Sequence, residues 1–272
     1  MVQHNSLPSY WYGFESRHPL QLIKFDMSLL RIFDLLLPVF GIILGSFVGA
    51  FHHRKISLQN KEDIIFKRSR CDICKKKLAI WELVPIMSYL LLKGRCYSCK
   101  SIIPRQYLII EILFFIISIN ILFLPLNEFE AYIVLVLIGL LIIQAISDFE
   151  KKELFTLASI LIALFGINLS IVTSIYSTLS FSVIGMVAGF LCLYLLNKIY
   201  YLFKKKDGIG SGDFLLFGAT LAIHGIEMFG PMLLIASSIT LGIGYYTSSL
   251  HKEMPLGTGL AIAGIIFLLM PF

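Results

Sequence analysis

Two acids and four cysteines in this sequence stand where such residues are costly or idle unless they do chemistry. Asp148 ends the apolar run LVLIGLLIIQAISD, and Asp213 opens another after GIGSGD, residues 208–213. A carboxylate at membrane depth is expensive and is read first as functional. Two carboxyl groups face to face cannot both ionise cheaply, so they share a proton. One then draws a proton from water while the other donates to a carbonyl oxygen. This is aspartic-protease chemistry, with no metal needed at the reacting centre. Gly208, Gly210 and Gly212 would let the backbone bend and a substrate strand approach closely. Taken alone, the residues leave a plainer alternative open: Asp213 as a helix N-cap and Asp148 as a hydrated helix end.

The cysteines form two Cys-x-x-Cys pairs, Cys71 with Cys74 and Cys96 with Cys99, with 21 residues between the pairs. Four thiolates so spaced can close a tetrahedral shell on structural Zn2+. Redox pairs are the alternative, disfavoured because the charge pattern below places them in the cytoplasm, where disulfides seldom persist. Metal would supply folding free energy to an insert too small for a large core. Between the pairs, the apolar stretch from Trp81 to Leu92 is too short to span a bilayer. It is expected to lie on the membrane surface or against the bundle. A fifth cysteine, Cys192, reads as a small residue of a helix core.

The elements that must position these groups follow from composition. Of 272 residues, 57% are hydrophobic and 15% charged; a soluble domain carries about 25% charged residues. Apolar segments fall near 29–50, 106–126, 131–148, 154–176, 180–203, 213–225, 230–250 and 255–271. The expected fold is an all-α polytopic membrane protein of about eight transmembrane helices with a small cytoplasmic zinc-binding insert. Four regions result: an N-terminal tail (1–28), a first transmembrane helix (29–50), a tetracysteine insert (51–105) expected in the cytoplasm, and a transmembrane domain (106–272) that carries both acids and is the expected aspartic peptidase domain.

With eight crossings, 20 of the 23 lysines and arginines fall on one side, 13 of them within residues 51–105. That side is the cytoplasm, which puts both termini outside. Asp148 then ends an inward helix and Asp213 begins an outward one, so both lie near the cytoplasmic boundary. The net charge of +6 suits a basic face beside anionic lipid and calls for no nucleic-acid partner. The sequence sets no oligomeric state.

Other polar residues carry weaker signals. Asp34 reads as interfacial, and Glu111 as a snorkelling acid, a partner for a base such as Arg105, or a support for the site. His52 and His53 read as surface residues, and His224 and His251 carry no signal.

The chain resembles the type IV prepilin peptidase family. GSFVGAFHHR (45–54) resembles its N-terminal signature, and the region from CDIC to Glu111 its tetracysteine block. SDFEKKELFT (147–156) matches the first aspartate block, GIGSGD the Gly-x-Gly-Asp block, and MPLGTGLAIAG (254–264) resembles the closing segment. The blocks keep family order over nearly the whole chain after the tail. The sequence departs from the pattern at Gly49, Ile56, Phe155, Thr156 and Leu215, and at Leu256 and Thr258, where phenylalanine and proline are usual.

The resemblance implies a membrane aspartic endopeptidase of the bacterial cytoplasmic membrane, with Asp148 and Asp213 as the dyad. It would cut prepilin or pseudopilin leaders on the cytoplasmic side, after a glycine. It also implies methylation of the new N-terminus from S-adenosylmethionine, using the insert. The rival reading is a transporter or ion pathway built on buried carboxylates. That rival calls for repeat symmetry, which is not visible, and gives the cysteines no task.

Overall fold

The computed structural model describes residues 32–57, 69–71, 73–247 and 254–270, without the side chains of 54–57. The tail, His251, and Glu62 and Asp63, two insert acids expected to attract a basic leader, lie outside the described residues. Among the described residues the protein is helical, and its only β pairing is two isolated bridges.

Each predicted apolar segment is a helix: α1 (Ile32–Ser57), α3 (Arg105–Leu122), α4 (Glu128–Lys151), α5 (Thr156–Val172), α6 (Leu179–Lys204), α7 (Ser211–His224), α8 (Phe229–Tyr246) and α9 (Leu256–Leu269). A five-residue helix, α2 (Met87–Leu91), lies in the insert. Helices α1, α3, α4, α6 and the stretch Ile226–Tyr246 are long and apolar enough to cross a membrane, whereas α5 and α9 are apolar but shorter. Helix α1 runs past the predicted boundary, so His52 and His53 ride on its last turns.

Helix α4 is the hub. Of its most apolar window 67% is buried, against 28% or less in the other four candidate spans. It packs against α1, α5 and α9. Its start is set by a capping box, in which the Asn127 N–H donates to Glu130 Oε2 at 2.9 Å.

Small residues set the helix spacing where lipid offers no hydrophobic drive to association. Gly41 and Gly45 of α1 lie one turn apart against α3. A Cβ on either would come within 2.8 Å of Ser118 Oγ or 2.9 Å of Phe114 Cβ. Gly185 and Gly189 of α6 do the same against α7 and the turn after it, where added Cβ atoms would sit 2.8 Å from Ile226 N and 2.7 Å from Leu221 Cδ1. These approaches clamp α7 between α6, α5 and α9.

Candidate active site

Three helix ends meet around the two predicted acids: the C-terminal turn of α4, the first turn of α7 and the first turn of α9. Asp148 is 5% exposed. Its Oδ2 accepts the Thr258 backbone N–H at 2.7 Å and the Thr258 hydroxyl at 2.9 Å. Thr258 stands in the opening turn of α9, where backbone N–H groups have no partner within the helix. Asp148 thus caps a helix 110 residues away in sequence.

Asp213 is not the N-cap of α7; Gly210 holds that place, and Asp213 sits in the first turn. Its Oδ1 is buried and has no hydrogen-bond partner among the described residues. The α9 turn touches this acid too: a Cβ on Gly257 would lie 3.0 Å from Asp213 Oδ1. Adjacent residues of one turn, Gly257 and Thr258, therefore contact the two acids.

Around this pair the loops are tied down. After Asp148 the chain turns at Lys152, with φ 55°. Gln144, one turn before Asp148, then bonds Phe155 twice, its amide nitrogen to the Phe155 carbonyl at 2.9 Å and its oxygen to the Phe155 N–H at 2.8 Å. Ser147 Oγ donates to the Glu153 carbonyl. This holds Leu154 beneath the site, where Cβ atoms on Gly212 or Gly257 would meet it at 2.8 and 2.9 Å. Before Asp213, Asn197 of α6 accepts the N–H groups of Gly208 and Ile209 at 2.8 and 3.0 Å, and donates to Asp207 Oδ1 at 3.0 Å.

The expected backbone freedom of the loop glycines is not used. Gly210 has φ −66°, and among the described residues only Gly94 and Gly225 are glycines with positive φ. What excludes a side chain is space: a Cβ would meet Tyr200 Cδ1 at 2.8 Å from Gly208, Asp213 Oδ2 at 3.2 Å from Gly210 and Leu154 Cβ at 2.8 Å from Gly212.

The four cysteines also converge. The sulfur atoms of Cys71, Cys74, Cys96 and Cys99 all lie within 4.8 Å of one another, and those of Cys71 and Cys99 are 3.7 Å apart. Sulfurs about 2.3 Å from a tetrahedral metal sit about 3.8 Å apart, so the set fits a metal ion. The two knuckles have the same geometry. Cys71 N–H bonds the Lys76 carbonyl and Cys96 N–H the Ser101 carbonyl. Lys75 and Lys100, each following the second cysteine of its pair, have φ of 57° and 55°. The Ser101 hydroxyl, 3.1 Å from Cys99 Sγ, pulls the Cys99 thiol down to about 6. Cys192 is only partly buried, on α6 rather than in the core.

A cavity of about 440 Å³ separates the insert from α1 and α3, and its walls include Ser46, His53, Tyr89, Tyr97, Tyr107 and Glu111. Glu111 neither snorkels nor pairs with Arg105. It is 6% exposed and accepts the Ile86 N–H at 2.7 Å. No residue of α4, α7 or α9 lines this cavity. The apolar stretch between the knuckles turns outward, with Ile80, Trp81, Leu90 and Leu91 all exposed. His52 is not a free surface residue: it pairs with Glu150 at 3.3 Å, joining the end of α1 to α4 two residues beyond Asp148. The insert and the acids therefore occupy the same end of the bundle.

Thr258, Gly257, Asn197, Gln144 and Leu154 carried no separate signal in the sequence. Thr258 stood out only as a departure from the family pattern.

A helical bundle with several membrane-length helices, a pair of carboxyl groups on one helix turn, one buried and one partly buried, and a four-cysteine insert at the same end defines a class of polytopic membrane protein. The profile of the bacterial peptidase A24 N-terminal domain matches residues 39–124, and that of the type IV leader peptidase family matches residues 135–245. A Vibrio cholerae prepilin leader peptidase/N-methyltransferase is 32% identical over 247 residues, covering 86% of this chain and 96% of its own. A Pseudomonas putida protein of the same name is 27% identical, covering 87% and 90%. An Escherichia coli type 4 prepilin-like proteins leader peptide-processing enzyme is 27% identical, covering 85% and 91%. No solved structure matches the chain significantly. The chain belongs to the type IV leader peptidase family.

Proposed function

We propose that this protein is a multi-pass enzyme of the bacterial cytoplasmic membrane that cleaves the leader from type IV prepilins or pilin-like proteins. Asp148 and Asp213 are the reacting pair, and the cut falls after a glycine on the cytoplasmic side. The observation that carries this reading is the convergence of both carboxyls on the first turn of α9. The eight predicted segments all lie in the bilayer, five of them long enough to span it and the shorter ones packed among these. A 14-residue helix such as α7 or α9 is about 21 Å long, short of the roughly 30 Å hydrocarbon core. Their first turns, and the acids with them, therefore lie recessed from the cytoplasmic surface. Such a site admits water and an extended peptide while the apolar part of the substrate stays among helices. Glu82 of the insert and Glu150, which pairs with His52, are acids at this end for a basic leader to meet.

The second activity named for the relatives, N-methyl transfer, is assigned to the cavity beside the insert. S-adenosylmethionine bound there would supply a methyl group on a cationic sulfonium. Glu111 and the rings of Tyr89, Tyr97 and Tyr107 suit a cation by charge and by cation–π attraction. Cys71, Cys74, Cys96 and Cys99 would hold Zn2+, which supplies folding free energy to the insert that forms one wall of the cavity.

The test is cleavage of a prepilin-type substrate in membranes by Asp148→Asn and Asp213→Asn variants. Each is expected to lose at least about 100-fold in rate, the usual scale of general acid–base catalysis. Full cleavage by either folded variant rules out the pair.

A further inference from the structure

The two carboxyl groups have unequal surroundings. Asp148 Oδ2 receives two donors, both from Thr258, one of them a hydroxyl, whereas Asp213 is approached only by the backbone N–H groups of Gly210 and Gly257 and its Oδ1 is buried without a well-formed hydrogen bond. The space beside Asp213 Oδ1 is bounded by Gly257, while Leu154 packs against Gly257 from below. The Thr258 hydroxyl has a single proton and two acceptors in reach, Asp148 Oδ2 at 2.9 Å and the Ala145 carbonyl at 3.2 Å. The shorter contact, to a carboxylate, is the stronger.

We propose that Thr258 is a positioning residue that gives the two acids different tasks, holding Asp148 as the carboxylate that activates water and leaving Asp213 to carry the proton. This rests on the peptidase reading above. The two donors on Oδ2 fix the plane of the Asp148 carboxyl group and leave its other oxygen to take the proton from water. The water oxygen forms a bond to the carbonyl carbon at the cut, and the Asp213 proton passes to the carbonyl oxygen. In the collapse, Asp148 gives its proton to the amide nitrogen, the C–N bond breaks, and Asp213 takes a proton back from a hydroxyl of the tetrahedral carbon. One water is consumed and both acids return to their starting states.

The test uses the full chain in proteoliposomes and a peptide with a basic leader, a glycine and an apolar helix. Thr258→Val removes the hydroxyl and keeps the N–H, and Thr258→Ser keeps both donors. The expected result is a fall in kcat of about 10-fold for Thr258→Val with KM within about twofold, the loss of one hydrogen bond to a charged group. Thr258→Ser is expected to return kcat to within about threefold of the parent. An unchanged kcat in Thr258→Val, a change confined to KM, or a serine variant no better than valine overturns the assignment. Asp148→Asn is run alongside. If it is inactive while Thr258→Val matches the parent, only this inference falls. If Asp148→Asn cleaves normally, the peptidase reading falls and takes this inference with it.

Discussion

Glu111, buried in α3, accepts a 2.7 Å hydrogen bond from the backbone N–H of Ile86 in the insert, 25 residues earlier in the chain. Ile86 has φ 60°, a strained conformation for a β-branched residue. The bond fastens the insert to the membrane bundle at the wall of the cavity assigned to methyl transfer. Glu111→Gln keeps an acceptor for Ile86 and removes the charge. Mass spectrometry of a processed substrate should show methylation reduced by about 10-fold or more, as expected for loss of a charge facing a cation, with cleavage within twofold. Equal methylation by the variant would remove Glu111 from that site.

The cysteine tetrad predicts about one zinc per chain, as a four-coordinate site requires. Replacing Cys71 and Cys96 with serine should abolish the metal, measured by elemental analysis, and expose the insert to protease while the bundle stays intact. A metal-free parent with a protease-resistant insert would refute the assignment.

Metal retention should also depend on pH. Protons and metal compete for the sulfurs. With the Cys99 thiol at about 6, this ligand is already a thiolate at neutral pH. It takes up a proton, and so weakens metal binding, as pH falls through that value. Metal titrations across this range should show affinity dropping on the acid side. Ser101→Ala, which removes the hydroxyl responsible, should move the drop to higher pH. An affinity independent of pH would contradict this account.

Asn197 ties the Asp207–Ile209 segment ahead of Asp213 through three hydrogen bonds. Asn197→Ala should lower cleavage about 10-fold, because each lost bond is worth roughly 1 kcal/mol and the loop sets the position of the α7 start. Circular dichroism should show the helices unchanged. A variant that cleaves like the parent would show that the loop needs no such anchor.

Gly257→Ala tests the close approach of α9 to Asp213. The added methyl would sit 3.0 Å from Asp213 Oδ1 and 2.9 Å from Leu154 Cδ1. Such overpacking typically costs about 1–3 kcal/mol, and here the displaced atoms are the site itself. Cleavage should fall at least about 10-fold, since each 1.4 kcal/mol is tenfold in rate, with folding retained. Unimpaired cleavage would mean that the turn shifts freely.

The sequence made the helices legible because hydropathy alone marks segments that must satisfy their backbone internally. Asp148, Asp213 and the cysteines were legible because their chemistry is out of place or repeats at a metal-binding interval. The partners of those residues were not. Thr258 meets Asp148 only because α9 packs on α4, and no local pattern encodes a contact 110 residues long. Asn197 resembles any polar residue near a helix end until the loop folds over it. The loop glycines were legible as glycines, but of the two uses expected of them the backbone freedom is absent, and what the structure uses is their small size. His52 likewise looked solvated until α1 was seen to continue past residue 50 and reach Glu150.

The cavity at the insert and the acid pair are lined by different helices. On the proposed assignment of cleavage to the acids and methyl transfer to the cavity, a polypeptide severed at one station travels before it is modified at the other. A clipped but unmodified product is then an obligatory species, and in a rapid-quench time course it should rise before the finished form. Its residence time would be governed by that transit and by lateral escape into the lipid.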